Sequence, residues 1–314
     1  MLTQKYCIND TTFWVRSTNS AFLKLVQKNW GNFSLRAKAS KAKIIFELTD
    51  SEDKEFKHRC IFFNNGNCLI LMGPSQQTVG YFYEQPWQVY IEVPKHQKAE
   101  FTYFFTFEPL LLTILKRLNI FVWHSAAVTK NGKAVLLAGA SGSGKTTTAL
   151  SLIRNGYQIL SDDTVFLAKN GTGAFVLGRE KNLFVTSKTI SFFPELKILK
   201  STPNYKKGDL WKKKLSVNRL YSKSNALKTK VKLVLFPKIT RNEKTTLKRL
   251  EPQQVIFQCL RQKPKEHPAS VKDGISLEQQ FKLYSTIAES AKCYSLNLGK
   301  NVSEIYPMVN KLLS

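Results

Sequence analysis

The chain has 314 residues and carries 48 Lys and Arg against 22 Asp and Glu, a formal net charge of +26. Its 43% hydrophobic and 12% aromatic content excludes a disordered, collagen-like or low-complexity chain, and the length gives room for two domains of about 100–200 residues each. Five cysteines (Cys7, Cys60, Cys68, Cys259 and Cys293) form no CxxC pair, which argues against a zinc site or a disulfide framework and for free thiols in a reducing, cytoplasmic compartment.

Met1 to Asp10 has no basic-then-apolar signal pattern. The most apolar region, Phe101 to Trp123, is interrupted by Glu108, Lys116 and Arg117, so no uncharged run approaches the roughly 18 residues of a membrane span. Up to about residue 107 the chain reads as short strands, for example Lys43 to Leu48, Cys60 to Phe63, Cys68 to Met72 and Val89 to Val93, separated by polar turns rich in Gly, Asn and Pro. This predicts a mostly β N-terminal domain over residues 1–115. Glu108 to Leu118 reads as a helix with Pro109 in its first turn, where the missing N–H costs nothing. It leads into a second domain, 116–314.

Two β-rich runs in Phe121 to Ala140 flank Asn131-Gly132, a dipeptide that supplies both positive φ angles of a type I′ hairpin turn. The two-residue loop sets Lys130 opposite Lys133 and His124 opposite Gly139. A glycine-rich loop, a helix from about Lys145 to Arg154 and a helix stop at Gly156 follow. Tyr157 to Leu160 is a strand ending at Ser161-Asp162-Asp163, and Thr164 to Ala168 with Ala174 to Leu177 forms a second hairpin. Later, Val231 to Phe236 reads as a buried strand, Leu277 to Lys292 as an amphipathic helix and Tyr294 to Leu298 as a strand. Asn301, with Glu304 three residues on, caps a final helix towards Leu313 that Pro307 kinks or delays.

Gly139, Ala140, Ser141, Gly142, Ser143, Gly144, Lys145 and Thr146 match the phosphate-loop pattern G-x-x-x-x-G-K-[ST] without a gap. Glycines let successive N–H groups turn inward onto a polyphosphate, and the following helix N-terminus adds partial positive charge. Lys145 neutralises phosphate oxygens and the Thr146 hydroxyl binds Mg²⁺. At this chain's own residue frequencies the pattern arises by chance on the order of 0.01 times. ATP and Mg²⁺ are therefore the expected ligands. Asp162 and Asp163 end the next strand, where ligands of open α/β sheets bind. Such a pair suits Mg²⁺ ligation by one carboxylate and proton abstraction from an attacking hydroxyl by the other, although Ser-Asp-Asp-Thr is also ordinary turn chemistry. The metal ligands expected are Thr146 and Asp162. His124, expected on the strand flanking the loop, reaches phosphate or aspartate there, and an isolated His in an apolar strand also suits a core position.

The order His124, GASGSGKT, Arg154-Asn155-Gly156 and Leu160-Ser161-Asp162-Asp163 resembles the catalytic domain of HPr kinase/phosphorylase, a family structurally related to phosphoenolpyruvate carboxykinase. The resemblance is specific over residues 120–168. It implies an α/β (α+β) P-loop core of that type, with His124, Lys145, Thr146, Asp162 and Asp163 in the active site and the aspartate pair supplying the general base. The first 115 residues do not look like the N-terminal domain of the HPr enzyme, so HPr is not carried over as substrate. The arrangement is similar to HPr-kinase-like proteins found beside peptide-maturation genes, some of which phosphorylate a serine of a precursor peptide, while others in the superfamily phosphorylate free serine. The leading expectation is a kinase acting on a peptide or protein serine. A free-serine kinase and a non-catalytic, nucleotide-dependent binding module are the alternatives, and an oligomer is left open.

Positive charge concentrates late. Lys188 to Arg249 holds 18 basic and 3 acidic residues, with Tyr205, Trp211 and Tyr221 interleaved, and reads as a basic insert. A solvated face, a channel for an acidic peptide and a nucleic-acid surface are the three readings. Nucleic acid is the least favoured, because lysines (38) far outnumber arginines (10) and planar, bidentate recognition favours Arg.

Overall fold

A computed structural model of the chain describes residues 1–33, 44–51, 61–62, 69–72, 79–83, 87–94, 97–178, 182–207, 210–221, 228–240, 242–262 and 274–313. Lys43, Cys60, Phe63 and Cys68, at the ends of three expected strands, lie outside the described residues, as do 208–209, 222–227 and 241 of the basic segment. The chain divides into two compact units, Met1–Leu118 with Glu266–Ser276, and Asn119–Lys265 with Leu277–Ser314. Among the described residues no helix is long and apolar enough to cross a membrane.

The first unit holds the strands β1 (Leu2–Ile8), β2 (Thr11–Ser17), β3 (Ile44–Ser51), β4 (Ile61–Phe62), β5 (Leu69–Met72), β6 (Val79–Tyr83) and β7 (Trp87–Pro94). They form one sheet in the order β1-β2-β3-β7-β6-β5-β4, with β3 parallel to both its neighbours. The helix α1 (Ser20–Trp30) is capped by the Asn19 side chain, which accepts the Phe22 N–H. Phe22, Leu23, Val26 and Trp30 bury one helical stripe, a 3.6-residue pattern that the strand-dominated expectation passes over. Residues 99–117 are helical throughout, as α2 (Ala99–Thr102), a π-helical turn (Tyr103–Phe107) and α3 (Glu108–Arg117). The helix therefore starts well before Glu108. Pro109 has no N–H to give and crowds the preceding turn, and the wider π turn is where such a residue is accommodated.

The second unit begins with β8 (Ile120–Trp123), β9 (Ser125–Lys130), β10 (Lys133–Ala138), α4 (Lys145–Arg154), β11 (Gln158–Ser161), β12 (Val165–Asn170) and β13 (Gly173–Leu177). It continues through β14 (Asn182–Val185), α5 (Ser187–Ser191), β15 (Asn204–Lys207), β16 (Leu210–Ser216), α6 (Val217–Leu220) and β17 (Lys228–Ile239). The last elements are β18 (Thr246–Arg249), α7 (Pro252–Arg261), α8 (Gly274–Ser290), β19 (Lys292–Leu298) and α9 (Ile305–Leu313). Asn301 caps a short 3-10 turn, Val302–Glu304, and the α-helix starts only at Ile305, so Pro307 falls in its first turn and the start is delayed.

Nine strands build a mixed sheet in the order β11-β9-β10-β17-β13-β12-β8, extended by β19 beside β17 and by β18 beside β19. Asn131 and Gly132 take φ of 51° and 70°, and the hairpin register runs from Lys130↔Lys133 to Ser125↔Ala138, as the two-residue turn requires. The ladder stops there. The apolar run around His124 splits, because β8 pairs with β12 while β9 pairs with β10 and β11, and His124 sits at the bend one residue beyond the ladder.

β17 is parallel to β10 and to β19, and β11 runs the same way because it and β10 both pair antiparallel with β9. Four strands thus end at one edge of the sheet, the edge where ligands of open α/β sheets gather. Strand periodicity divides β10 between two cores. Val135 and Leu137 pack with α4 and α9, whereas Ala134, Leu136 and Ala138 pack with Val255, Cys259, Leu283 and Ile287 of α7 and α8. The unit is therefore a three-layer α/β/α fold with a P-loop core. The basic stretch 188–249 divides as well: Lys228 to Ile239 is the central strand, while β15 and β16 join β14, from just before the stretch, in a separate three-stranded antiparallel sheet in the order β14-β16-β15.

Candidate active site

The loop 139–146 leaves the end of β10 and turns into α4. Gly142 and Gly144 hold φ of +80° and +104°, a region closed to side chains other than at a cost in strain. A Cβ on Gly144 would also come within 2.3 Å of Leu298 Cδ1. Lys145 is buried and its Nζ donates to the carbonyls of Gly139 (2.7 Å) and Ala140 (2.9 Å). The Ser143 hydroxyl is buried without a hydrogen-bond partner. These features fit a polyphosphate, since it offers acceptors both to an orphaned hydroxyl and to an ammonium group now held by its own loop.

Asp162 and Asp163 follow β11 at the same edge. Asp162 is 4% exposed, and it faces the Thr146 hydroxyl at 3.5 Å and the Phe184 N–H at 3.4 Å. Burial, and next the charge of Asp163, push its pKa up to about 6 against the opposing pull of the Phe184 N–H, Lys212 and Lys145. Asp163 is more accessible and sits at φ +68°, a left-handed conformation that asparagine and aspartate tolerate better than most residues. Its carbonyl lies 2.8 Å and its carboxylate 3.4 Å from His124 Nδ1. The other ring nitrogen, Nε2, is 3.4 Å from Lys145 Nζ. An ammonium only donates, so Nε2 accepts and the imidazole proton is on Nδ1. The bend at His124 and the turn at Asp163 thus bring together His124, Lys145 and Asp163, which the sequence spreads over 40 residues.

A cavity of about 590 Å³ opens over this cluster. Its wall includes His124, Ser141, Gly142, Gly144, Lys145, Thr146, Asp162 and Asp163, but not Gly139, Ala140 or Ser143. The wall also takes in residues that motif reading missed. Phe184, Leu210 and Lys212 come from the three-stranded sheet, and Ile239 and Leu298 from the ends of β17 and β19. No motif marks these positions. The sequence carries no signal for them either, since Leu210 to Leu215 reads LWKKKL without apolar-polar alternation.

No protein-family model matches the chain. It is 36% identical over 61 residues to the HPr kinase/phosphorylase of Chlorobium chlorochromatii (strain CaD3), covering 19% of this chain and 18% of that protein. It is 40% identical over 53 residues to the HPr kinase/phosphorylase of Exiguobacterium sibiricum, covering 17% of each. In its matched stretch this chain is HPr-kinase-like. The HPr-kinase-like matches span less than a fifth of the length of those two proteins. The solved Hpr(Ser) kinase/phosphatase from Coxiella burnetii superposes with a TM-score of 0.33 at 12% identity, covering 61% of this chain and 93% of that one.

Proposed function

We propose that this chain is an ATP-dependent kinase that transfers the γ-phosphoryl group to a serine hydroxyl of a peptide or protein. The observation that carries the reading is the carboxylate pair beside the phosphate loop, one member against Thr146 and the other against His124. The HPr-kinase-like matches support phosphoryl transfer. The loop N–H groups, the N-terminus of α4 and Lys145 hold the phosphates. Thr146 and Asp162 would hold Mg²⁺, which when bound neutralises phosphate charge. Asp163 is the base. It takes the hydroxyl proton as the serine oxygen bonds to the γ-phosphorus, and the bond from that phosphorus to the bridging oxygen breaks to release ADP. His124 is a positioning residue, gripping Asp163 through Nδ1 and Lys145 through Nε2.

The test incubates the purified chain with Mg-ATP and serine-containing peptides, with free serine in parallel, and reads acceptor mass. The expected result is a peptide gain of about 80 Da, the mass of an added phosphoryl group, that disappears in an Asp162→Asn/Asp163→Asn variant. Nucleotide binding without transfer to any acceptor would overturn the kinase and leave a nucleotide-dependent binding module. Transfer to free serine alone would overturn the peptide acceptor.

A further inference from the structure

The three-stranded sheet has two unlike faces. Leu183, Val185 and Leu215 alternate into the core. Directly paired residues share a face, so the pairs Phe184↔Lys214 and Tyr205↔Lys212 set Phe184, Tyr205, Lys212 and Lys214 together on the other, with Leu210 two residues before Lys212. Phe184, Leu210 and Lys212 line the cavity beside Asp162 and Asp163. Tyr205 and Lys214 carry the same face outward into solvent. Phe184 and Tyr205 meet edge to face, with ring centroids 6.0 Å apart.

We propose that this face docks the acceptor through an acidic stretch flanking its serine, with Lys212 and Lys214 meeting the carboxylates and Phe184, Tyr205 and Leu210 the apolar parts between them. The proposal rests on the kinase reading for the serine alone. An extended peptide repeats its side-chain direction every second residue, at about 6.8 Å, the same period that separates Lys212 from Lys214. A nucleic acid would suit the face less well. It carries a charge on every unit, so a strand following the lysines inward would press a phosphate against the aspartate pair, whereas a peptide can present a neutral hydroxyl there and keep its charges on the lysines. The edge-to-face aromatic pair also lacks the open, parallel platform on which bases stack.

The test measures fluorescence anisotropy of the full chain with labelled 15-residue peptides. One has a single serine with Glu at alternate flanking positions; another has Gln in place of each Glu; a 15-nucleotide single strand is the third probe. The Glu peptide is expected to bind about tenfold more tightly than the Gln peptide at low salt, and Lys214→Glu to remove that preference, as charge reversal within a complementary contact does. Lys24→Glu, on α1 of the other unit, should keep it. Equal affinity for the two peptides, or an unchanged preference in Lys214→Glu, would overturn the proposal. So would tighter binding of the oligonucleotide with displacement of the Glu peptide. Because binding is read without turnover, a chain that selects the Glu peptide yet transfers no phosphate upholds the docking face and overturns the kinase. Equal phosphorylation of both peptides does the reverse.

Discussion

Asp162 carries its charge at a cost. An ordinary aspartate ionises near 3.8, and burial together with the neighbouring Asp163 raises Asp162 to about 6. A carboxyl whose folded pKa lies above its unfolded value favours the fold while protonated, so this contribution is present below about pH 4 and is lost as pH rises through 6. Asp162→Asn removes the charge and keeps the shape. It should therefore stabilise the protein by about 1–3 kcal/mol at pH 8 and by a few tenths near pH 4, read as denaturation midpoints at the two values, while phosphoryl transfer falls away. An equal loss of stability at both pH values would mean that the Phe184 N–H and the two lysines outweigh burial. The position of this residue, at a strand end after a phosphate loop, was legible in the sequence. Its raised pKa was not, because Phe184 and Lys212 approach it from segments 22 and 50 positions away in a sheet that no motif announces.

At the scale of elements, the loop between β10 and α4 depends on what lies across it. Gly144 is demanded twice, by φ of +104° and by Leu298 pressed against the place a Cβ would occupy. Gly144→Ala should weaken ATP binding at least about tenfold, since a positive φ with a side chain costs on the order of 1–2 kcal/mol before the clash with Leu298 is counted. Isothermal titration of ATP checks this. Leu298→Ala should recover part of the loss if the clash dominates, and recover nothing if backbone strain does. The positive φ could be anticipated from the glycine pattern. Leu298 could not, because β19 reaches the loop only through its parallel pairing with β17. In the same way the hairpin register followed from Asn131-Gly132, while the bend that frees His124 from that ladder comes from the pairing of β8 with β12.

For the second unit as a whole, Cys259 and Cys293 report on the core beneath α7 and α8. Both are buried, and burial pushes the Cys293 thiol up to about 12 and raises that of Cys259 further, where Cys293 adds to the effect. Thiolate is the reactive form. At pH 8 a maleimide should label neither residue in the native protein and both once denaturant unfolds the unit, which peptide mass mapping resolves. Labelling of either well below the unfolding midpoint would show that α7 and α8 open independently of the sheet.

The amino-acid sequence by itself determined the local devices of this protein: a phosphate loop, a type I′ turn, a carboxylate pair at a strand end and the cap at Asn301. Each is set by residues within a few positions of one another, through φ preferences and short hydrogen bonds. Only the tertiary structure decided which groups stand around them. Parallel pairing brings Leu298 and Ile239 to the loop, a bend hands His124 to both Asp163 and Lys145, and a three-stranded sheet turns one lysine of a basic run toward the carboxylates. Those neighbours meet through strand order, and strand order is fixed by long-range burial of alternating faces, which short-range pattern does not encode.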